Sequence, residues 1–520
     1  MDLLIRGGMI VDGTGAPPRP AEVAIAGDTI IEVGGVHVSA KKILDATGLI
    51  VSPGFIDIHS HTDHMLLANP LAESKLLQGV TCEVGGNCGS SAAPLNEEQA
   101  REAGNELRPH GPEVSWHDTG EFLSVLEKAG IGLNFATLVG HGNLRGGVIG
   151  YEARAAGPEE LREMQRRAAK SLQEGAFGIS AGLIYPPGCF ADAKELAAVC
   201  AAAQGRGFFA VHMRDEGAGL LEAVEEVIGV ARAANIALQI SHHKVTGERN
   251  WGLVKKSLEK IAEAREEGLD ITVDVYPYEA TNTGLSAVVP DWMKAGGREA
   301  LLARLQDSAM LKRWAQEWGE RGTDLARWQE YMVSRVFAEE QKQFEGKRIA
   351  EICQELDKSP LETVAQLLLN DKGGTEMIRY CIAEKDIEEV LSRPWAMIGS
   401  DAGAKDFSGG WGCPHPRGFG TFPRVLAKYV RERGIFTLAE AVRKMTSLPA
   451  GRLGIRDRGR IAPGCKADLV IFDAAEIADQ ATYQHPARPP SGIEWIIVNG
   501  VVAAEQGKLT GARPGKVLRA

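Results

Sequence analysis

At 520 residues and 55.8 kDa, the chain is too long for one ordinary hydrophobic core, so we expect a large domain with a smaller one beside it. The net charge of −11 at pH 7, with no long run of Lys or Arg, argues against a nucleic acid or an anionic membrane surface as partner. Eight cysteines without paired spacing argue against a disulfide framework and favour a reducing cytoplasm, and no apolar window of about 18 residues predicts a membrane span.

Both ends of the chain are predicted to form strands joined by Gly/Asp turns. The start, LLIRGGMIVDGTG followed by EVAIAGDTIIEVGG, reads as strands rather than as a signal peptide. The end contains the similar segments GRIAPGCKADLVIFDA and IEWIIVNGVVAAEQG. Neither end has enough strands for a stable sheet alone, so we expect residues 1–51 and 451–520 to form one small β-sandwich domain together.

Residues 52–450 alternate short apolar runs with amphipathic segments. The strand candidates are residues 49–59, 79–86, 131–141, 175–185, 207–213, 236–242, 269–278 and 395–401. Helix signals lie between them, such as Pro158 in a first turn and the capping-box pair Asp192 and Glu195. Eight strand–helix units predict an α/β fold, a (β/α)₈ TIM-type barrel whose chemistry lies at the C-terminal ends of the strands.

Residues 286–348 interrupt this alternation between the seventh and eighth strands. They contain four of the nine tryptophans, namely Trp292, Trp314, Trp318 and Trp328, among interspersed acidic and basic residues. This composition predicts a small helical insertion. Its tryptophans either form a core of their own or belong to a lid over the active-site face, where an insertion after a barrel strand must emerge.

The stretch IDIHSH ends the first predicted barrel strand with two histidines one residue apart. On a strand, residues i and i+2 point the same way, so His59 and His61 can face one metal ion. His64 does not share this parity and is expected in a loop. An H-x-H pair is weak evidence by itself.

Other strand ends supply further metal-ligand types. Cys88 follows the second strand among glycines, His212 and His242 end the fifth and sixth, and Asp401 ends the eighth. Imidazole, thiolate and carboxylate are the usual ligands of zinc. A lone buried histidine is more often a hydrogen-bonded core residue, but such groups at one strand end after another favour a metal centre.

Motifs over nearly the whole chain resemble the N-acyl-D-amino-acid deacylases (D-aminoacylases) of the amidohydrolase superfamily. They are PGFIDIHSHTDH, GGNCG, GISAGLIYPPG, HMRDEG, SHHK, DVYPYEA, GSDAG, HPRGFGTFPRVL and DRGRIAPGCKADLVIFD. The GGNCG and HPR segments are the most specific to this branch. The resemblance implies zinc-dependent hydrolysis of the amide bond of N-acyl-D-amino acids, which releases a carboxylate and a free D-amino acid.

The resemblance also assigns roles to the metal-ligand candidates. It places a tight zinc site on Cys88, His212 and His242, and a weaker second site on His59 and His61. Asp401 would bridge towards the reacting water and act as general base and then general acid. His243, next to His242, is the main ambiguity, and the family pattern leaves it a packing or supporting role.

Further residues are implied to bind the small-molecule substrate. Arg417 and Tyr276 would hold the α-carboxylate, since a guanidinium pairs bidentately with a carboxylate, although a surface ion pair is the alternative for Arg417. Asn282 stands where the family pattern has a serine, which puts that contact in question. His141 is a candidate for polarising the substrate, against a structural role as a buried histidine.

Two other functions are considered. A cyclic amidase such as a hydantoinase or dihydroorotase would need a bridging lysine after the fourth strand, and FGISAGLIYPPG has none. A non-catalytic scaffold would be expected to have lost ligands that this chain retains. The acyl group and the oligomeric state stay open. The preferred D-amino-acid side chain stays open too, because no basic residue of the 286–348 insertion stands out as a binder of a second carboxylate.

Overall fold

Eight parallel strands close into a barrel in this computed structural model, which describes residues 1–36 and 39–520. The barrel strands are β1 (Phe55–Asp57), β2 (Val80–Gly85), β3 (Asn134–Thr137, continuing as Val139–Gly140), β4 (Gly178–Gly182), β5 (Phe208–His212), β6 (Ala237–Ile240), β7 (Ile271–Val275) and β8 (Ala396–Ile398). Neighbours pair in parallel, and a parallel bridge from Ser60 to Ala402 joins the first strand to the last. The predicted α/β barrel is confirmed.

Helices connect the barrel strands and cover the outside of the barrel. They are Glu73–Leu76, Glu97–Leu107, Thr119–Ala129, His141–Val148, Pro158–Gln173, Ala193–Cys200, Leu220–Ala234, Leu253–Glu266, Glu384–Leu391, Arg417–Arg424 (continuing as a π-helix, Val425–Glu432), Leu438–Met445 and Ser447–Leu453. Short 3₁₀ turns occur at Asp63–Leu67, Arg108–His110, Gly188–Phe190, Ala201–Ala203, Glu248–Asn250, Leu285–Val288 and Glu339–Phe344.

The helix Leu220–Ala234 illustrates why these segments are helical. Its buried residues Val224, Val227, Ile228 and Ala231 recur at helical spacing and form one apolar stripe. Because one face is apolar and the other charged, the segment gains most of its stability by docking on the sheet.

Strands from both ends of the chain form two further sheets. One has the order Thr29–Gly34, Glu22–Ala26, Leu3–Arg6, Lys42–Asp45. The other has the order Lys508–Leu509, Val501–Glu505, Ile493–Val498, Leu469–Phe472, Ile50–Pro53, Met9–Ile10, Arg19–Pro20. Ile5 and Ile25 from the first sheet share an apolar core with Ile471 and Ile497 from the second, so the two termini depend on each other.

The insertion between β7 and β8 is larger than predicted and is not purely helical. It contains an antiparallel sheet of Ala280–Gly284, Glu376–Tyr380 and Tyr331–Arg335, which we call the small sheet. Its helices are Asp291–Lys294, Gly297–Gln306, Ser308–Trp318, Glu320–Thr323, Leu325–Trp328, Ile349–Leu356 and Pro360–Asn370. The predicted insertion between β7 and β8 is present and mostly helical, but it also contains strands outside and within 286–348. These strands were not predicted because five residues between helices leave too short a period-2 signal to recognise.

The tryptophans of the insertion pack together. Trp314 and Trp328 are fully buried, and the ring centroid of Trp318 lies 6.0 Å from the first and 5.8 Å from the second. With Trp292, which is partly buried, they belong to a cluster separate from the core of the barrel. The insertion therefore has its own core, and its action as a lid stays a prediction. Within the described ranges, no helix is both long enough and apolar enough to cross a bilayer.

Replacing Trp314 with alanine should destabilise the insertion by about 3–5 kcal/mol, since it removes a fully buried aromatic side chain. We expect faster proteolysis within the insertion and a lower melting temperature. Leu325, which is 40% exposed in the same insertion, provides the matched control Leu325→Ala, with an expected change within about 0.5 kcal/mol. Equal protease resistance of the two variants would contradict a separate core.

Candidate metal centre

Six predicted ligands converge at the C-terminal ends of the barrel strands. They form two overlapping groups, within each of which the potential ligand atoms lie within 4.8 Å of one another. One group is His59, His61, Cys88 and Asp401, and the other is Cys88, His212 and His242. The parallel direction of the strands places all these strand ends at one rim of the barrel. The structure thus brings together residues that are up to 342 positions apart in the chain.

Three of these residues adopt left-handed backbone conformations that non-glycine residues seldom occupy. The φ angles are 51° at Cys88, 36° at His242 and 51° at Asp401. Hydrogen bonds hold two of them: the N–H of Asp401 donates to the carbonyl of His59 at 2.8 Å, and that of His242 donates to Asp274 Oδ1 at 2.7 Å. Such strain concentrates at functional sites, where the surrounding structure must enforce it.

Asp274 connects the two ligand groups, and the sequence analysis missed it. Its Oδ1 lies 3.0 Å from His59 Nδ1 and also accepts the backbone N–H of His242, while its Oδ2 accepts from Gln239. The His59 Nδ1 contact turns Nε2 of that ring towards the centre. A signal did exist: Thr272 and Asp274 alternate with apolar residues along β7, which places polar side chains in the barrel interior.

Glu216 supports the other group and was also missed. Its Oε1 lies 3.0 Å from His242 Nδ1, and Lys244 Nζ donates to the same carboxylate at 2.6 Å. The His242 ring is thereby oriented with Nε2 3.5 Å from Cys88 Sγ. Glu216 follows His212 by four residues in a loop, where no periodicity marks it.

The electrostatics of the buried centre favour a thiolate. Burial alone would raise the pKa of the Cys88 thiol, but His59 and His242 outweigh this effect and hold that pKa well below its usual range. The Sγ atom lies 3.3 Å from His59 Nε2. Both ring nitrogens of His212 are buried without a hydrogen-bond partner among the described residues. A thiolate and an unpartnered buried imidazole are donors that fit zinc.

Asp401 is held in its ionised form. Its Oδ1 lies 2.9 Å from His61 Nε2, and its Oδ2 lies 2.8 Å from Arg417 Nη1. Burial opposes ionisation, yet Arg417 and the neighbouring histidines keep the pKa of Asp401 well below its usual range. The group of His59, His61 and Cys88 therefore includes a charged carboxylate, which is able to accept a proton.

Two of the predicted substrate-binding residues, Tyr276 and Asn282, lie against the third, Arg417. Its guanidinium lies 4.5 Å from the ring centroid of Tyr276, whose hydroxyl is buried without a partner in the described chain. Arg417 Nη2 donates to the backbone carbonyl of Asn282 at 3.2 Å, so Asn282 reaches Arg417 through its main chain. His415, which was missed, accepts the Arg417 N–H on Nδ1 and donates from Nε2 to the Ala280 carbonyl. Arg417 is thus fixed by its neighbours.

Three further histidines that the sequence analysis discussed, His141, His243 and His64, lie outside both ligand groups. His141 Nε2 lies 2.9 Å from Glu195, which also pairs with the buried Arg145. His243 Nε2 lies 2.8 Å from Ser257 Oγ, and burial lowers the pKa of His243 to about 3. These contacts give each of the two a structural partner. The third is His64, which lies in a 3₁₀ turn and contacts an exposed carboxylate, Glu106.

Comparison with known proteins agrees with this geometry. Residues 42–504 match the model of the Amidohydrolase family. The D-aminoacylase of Alcaligenes xylosoxydans xylosoxydans is 36% identical over 99% of this chain and 97% of its own length. The N-acyl-D-glutamate deacylase of the same organism is 35% identical over 100% of this chain and 96% of its own length.

Solved structures give the same result. The N-acyl-D-glutamate deacylase of Bordetella bronchiseptica, complexed with zinc and a phosphonate mimic of the tetrahedral intermediate, has a TM-score of 0.86 and 33% identity, with full coverage of both chains. A dihydropyrimidinase from Brevibacillus agri, at 14% identity and a TM-score of 0.58, shares the fold alone. With its full-length relatives and its barrel, this chain belongs to the N-acyl-D-amino-acid deacylase (D-aminoacylase) family of the amidohydrolase superfamily.

Proposed function

We propose that this protein is a zinc-dependent deacylase that hydrolyses the amide bond of N-acyl-D-amino acids and releases a carboxylate and a free D-amino acid. The observation that carries the proposal is the convergence of Cys88, His212 and His242 at one buried point, where neither ring nitrogen of His212 has a hydrogen-bond partner among the described residues. A buried polar side chain without a partner is costly, and coordination of a metal removes that cost.

Cys88, His212 and His242 are the proposed ligands of the tight zinc site. His59, His61 and Asp401, together with the shared Cys88 sulfur, would form a second, weaker site. When bound, zinc supplies Lewis acidity, which activates water and polarises the scissile carbonyl. Asp274 and Glu216 fix the orientation of the histidine ligands from behind.

Asp401 is the proposed proton carrier. Its ionised carboxylate would take a proton from the attacking water at Oδ1 and return it to the departing amine, first as general base and then as general acid. Arg417 holds Oδ2 at 2.8 Å and so limits the rotation of the carboxylate. Asp401 can therefore stay ionised and accept a proton although its side chain is largely buried.

Arg417 and Tyr276 are the proposed binding site of the α-carboxylate. The overall charge of −11 repels anions, so a local cation is needed to bind an acyl-amino acid. The Asn282 carbonyl accepts from the guanidinium and His415 accepts the backbone N–H of Arg417, so both help to fix this arginine. His141 is committed to Glu195 and is left with a structural role. A linear substrate is favoured over a cyclic amide because the segment from β4 to Gly188 contains no lysine to bridge two metals.

Substituting Asp401 by alanine should lower kcat for an N-acetyl-D-amino acid by about 10²- to 10⁴-fold or more, because the proton carrier is lost. Zinc at the tight site should remain bound, since the three ligands there are unchanged. Steady-state kinetics and elemental analysis of dialysed protein test this. Asp270→Ala, at the opposite end of β7 with a 68% exposed side chain, is the control. Wild-type kcat in Asp401→Ala would exclude this role.

Substituting Cys88 by serine should reduce zinc retained after dialysis from about one equivalent to a small fraction, because a neutral hydroxyl replaces a thiolate. Cys465→Ser, in the terminal sandwich, should retain the wild-type content. Elemental analysis of both variants measures the difference. Equal zinc in the two proteins would refute the proposed tight site.

Substituting Arg417 by methionine should abolish the preference for a free α-carboxylate. We expect the ratio of kcat/KM between an N-acetyl-D-amino acid and its primary amide to fall by about 10- to 150-fold, which corresponds to a charge-assisted hydrogen bond of roughly 1.5–3 kcal/mol. This ratio cancels any effect transmitted through Asp401, which both substrates share. An unchanged ratio would show that another residue binds the carboxylate.

A further inference from the structure

Lys75 is a fully buried lysine outside the proposed ligand and substrate positions. It lies in the short helix Glu73–Leu76 after β1, and its side chain has no exposed surface. Its Nζ donates to Asp57 Oδ2 at 2.5 Å and to Ser400 Oγ at 2.6 Å. Because a buried ammonium group is costly unless it is paired and hydrogen-bonded, these contacts commit Lys75 to the ends of β1 and β8.

A second buried carboxylate shares the charge of Lys75. Glu83 of β2 has its Oε2 3.9 Å from Lys75 Nζ, and the same oxygen accepts the hydroxyls of Ser60 at 2.8 Å and Thr62 at 2.9 Å. Burial raises the pKa of the Glu83 carboxyl to about 7, and Lys75 opposes that rise. Lys75 therefore also stabilises the carboxylate that holds the two neighbours of His61.

Asp57 links this cluster to the seam at which the barrel closes between β1 and β8. The two strands meet there through an isolated bridge between Ser60 and Ala402. Asp57 Oδ1 accepts the N–H of Ser400 at 2.9 Å and that of His59 at 3.3 Å, while its Oδ2 accepts the hydroxyl of Ser400 at 2.6 Å. The carboxylate thus supplies acceptors that a neighbouring strand would give in a regular ladder.

The seam determines where the Asp401 carboxylate lies. Asp401 follows Ser400 directly, has a φ angle of 51°, and donates its N–H to the carbonyl of His59 at 2.8 Å. A left-handed residue keeps its conformation only while the surrounding structure enforces it, and Lys75 fixes the residue before it. Buried ion pairs often add little stability over apolar residues of similar volume, so stability alone is a weak reason for this charged cluster.

We propose that Lys75 is a positioning residue, which through Asp57 and Ser400 fixes Asp401 and the second, weaker zinc site. This inference rests on the proposed deacylase function. Without the lysine, the Asp57 carboxylate would lose its buried cation, the seam would relax, and the Asp401 carboxylate would move from its partners. A displacement of about 1 Å at a reacting group can lower the rate by about 10²-fold.

Replacing Lys75 with methionine tests this role in the zinc-loaded protein. We expect kcat for an N-acetyl-D-amino acid and the affinity for the second zinc equivalent each to fall by about 10- to 100-fold, because Asp401 contributes to both. The first zinc equivalent should stay bound, since the three ligands of the tight site are unchanged. Steady-state kinetics and calorimetric titration of the metal-free protein with zinc measure these quantities.

Lys444 provides the matched control, because it is a lysine of nearly equal burial at the opposite end of β8. Its side chain is 1% exposed, its Nζ donates to the carbonyl of Ala396, and it lies 3.6 Å from Glu440. Ala396 is the first residue of β8, whereas Ser400 follows the last. Lys444→Met should also lower the melting temperature, but it should retain the wild-type kcat and the wild-type affinity for the second zinc equivalent.

Losses in Lys75→Met that are absent from Lys444→Met support the positioning role. Equal losses in the two variants would assign the effect to stability and overturn the inference, as would wild-type values in Lys75→Met. If Lys75→Met does not fold, Ser400→Ala decides: a loss of about 10-fold in both quantities is expected, and wild-type values would overturn the inference.

The two readouts separate this inference from the proposed function. Wild-type protein that hydrolyses no N-acyl-D-amino acid would overturn the deacylase function, whereas the zinc titration requires no turnover and would still test the role of Lys75. Active Lys75→Met protein with unchanged zinc affinities would overturn the inference alone.

Discussion

A single sulfur atom joins the two ligand groups of the candidate metal centre. Cys88 Sγ lies 3.3 Å from His59 Nε2 and 3.5 Å from His242 Nε2, although these histidines belong to different ligand groups. A thiolate at this buried point is stable only while positive charge surrounds it, and the imidazoles supply that charge. Asp274 contacts the His59 ring and Glu216 contacts the His242 ring, so the two carboxylates together hold both rings against one sulfur.

The barrel meets this requirement at a conformational cost. Left-handed φ angles at Cys88, His242 and Asp401 cost on the order of 1–3 kcal/mol each, and they turn the chain inward where each strand ends. The hydrogen bonds from Asp274 and from the His59 carbonyl offset part of that cost. The barrel thus imposes the geometry at its rim, where the candidate ligands already lie close together.

The extent to which sequence predicts this structure differs between its parts. The eight strands and the six ligand candidates were recognisable because parallel strands give buried apolar runs that end in chemically distinctive residues. Glu216 and His415 were missed because loop residues that orient others carry no periodic signal. The small sheet was missed because its strands are short and lie among helices.

The tryptophan core of the insertion has a consequence for how such proteins diversify. Because Trp314 and Trp328 belong to a cluster separate from the barrel, substitutions around them disturb the insertion without displacing the ligands of the centre. Natural variation can therefore alter the insertion while the convergence of the candidate ligands at the barrel rim stays the same. In a lineage built this way, one module can change in sequence while the other is inherited unchanged.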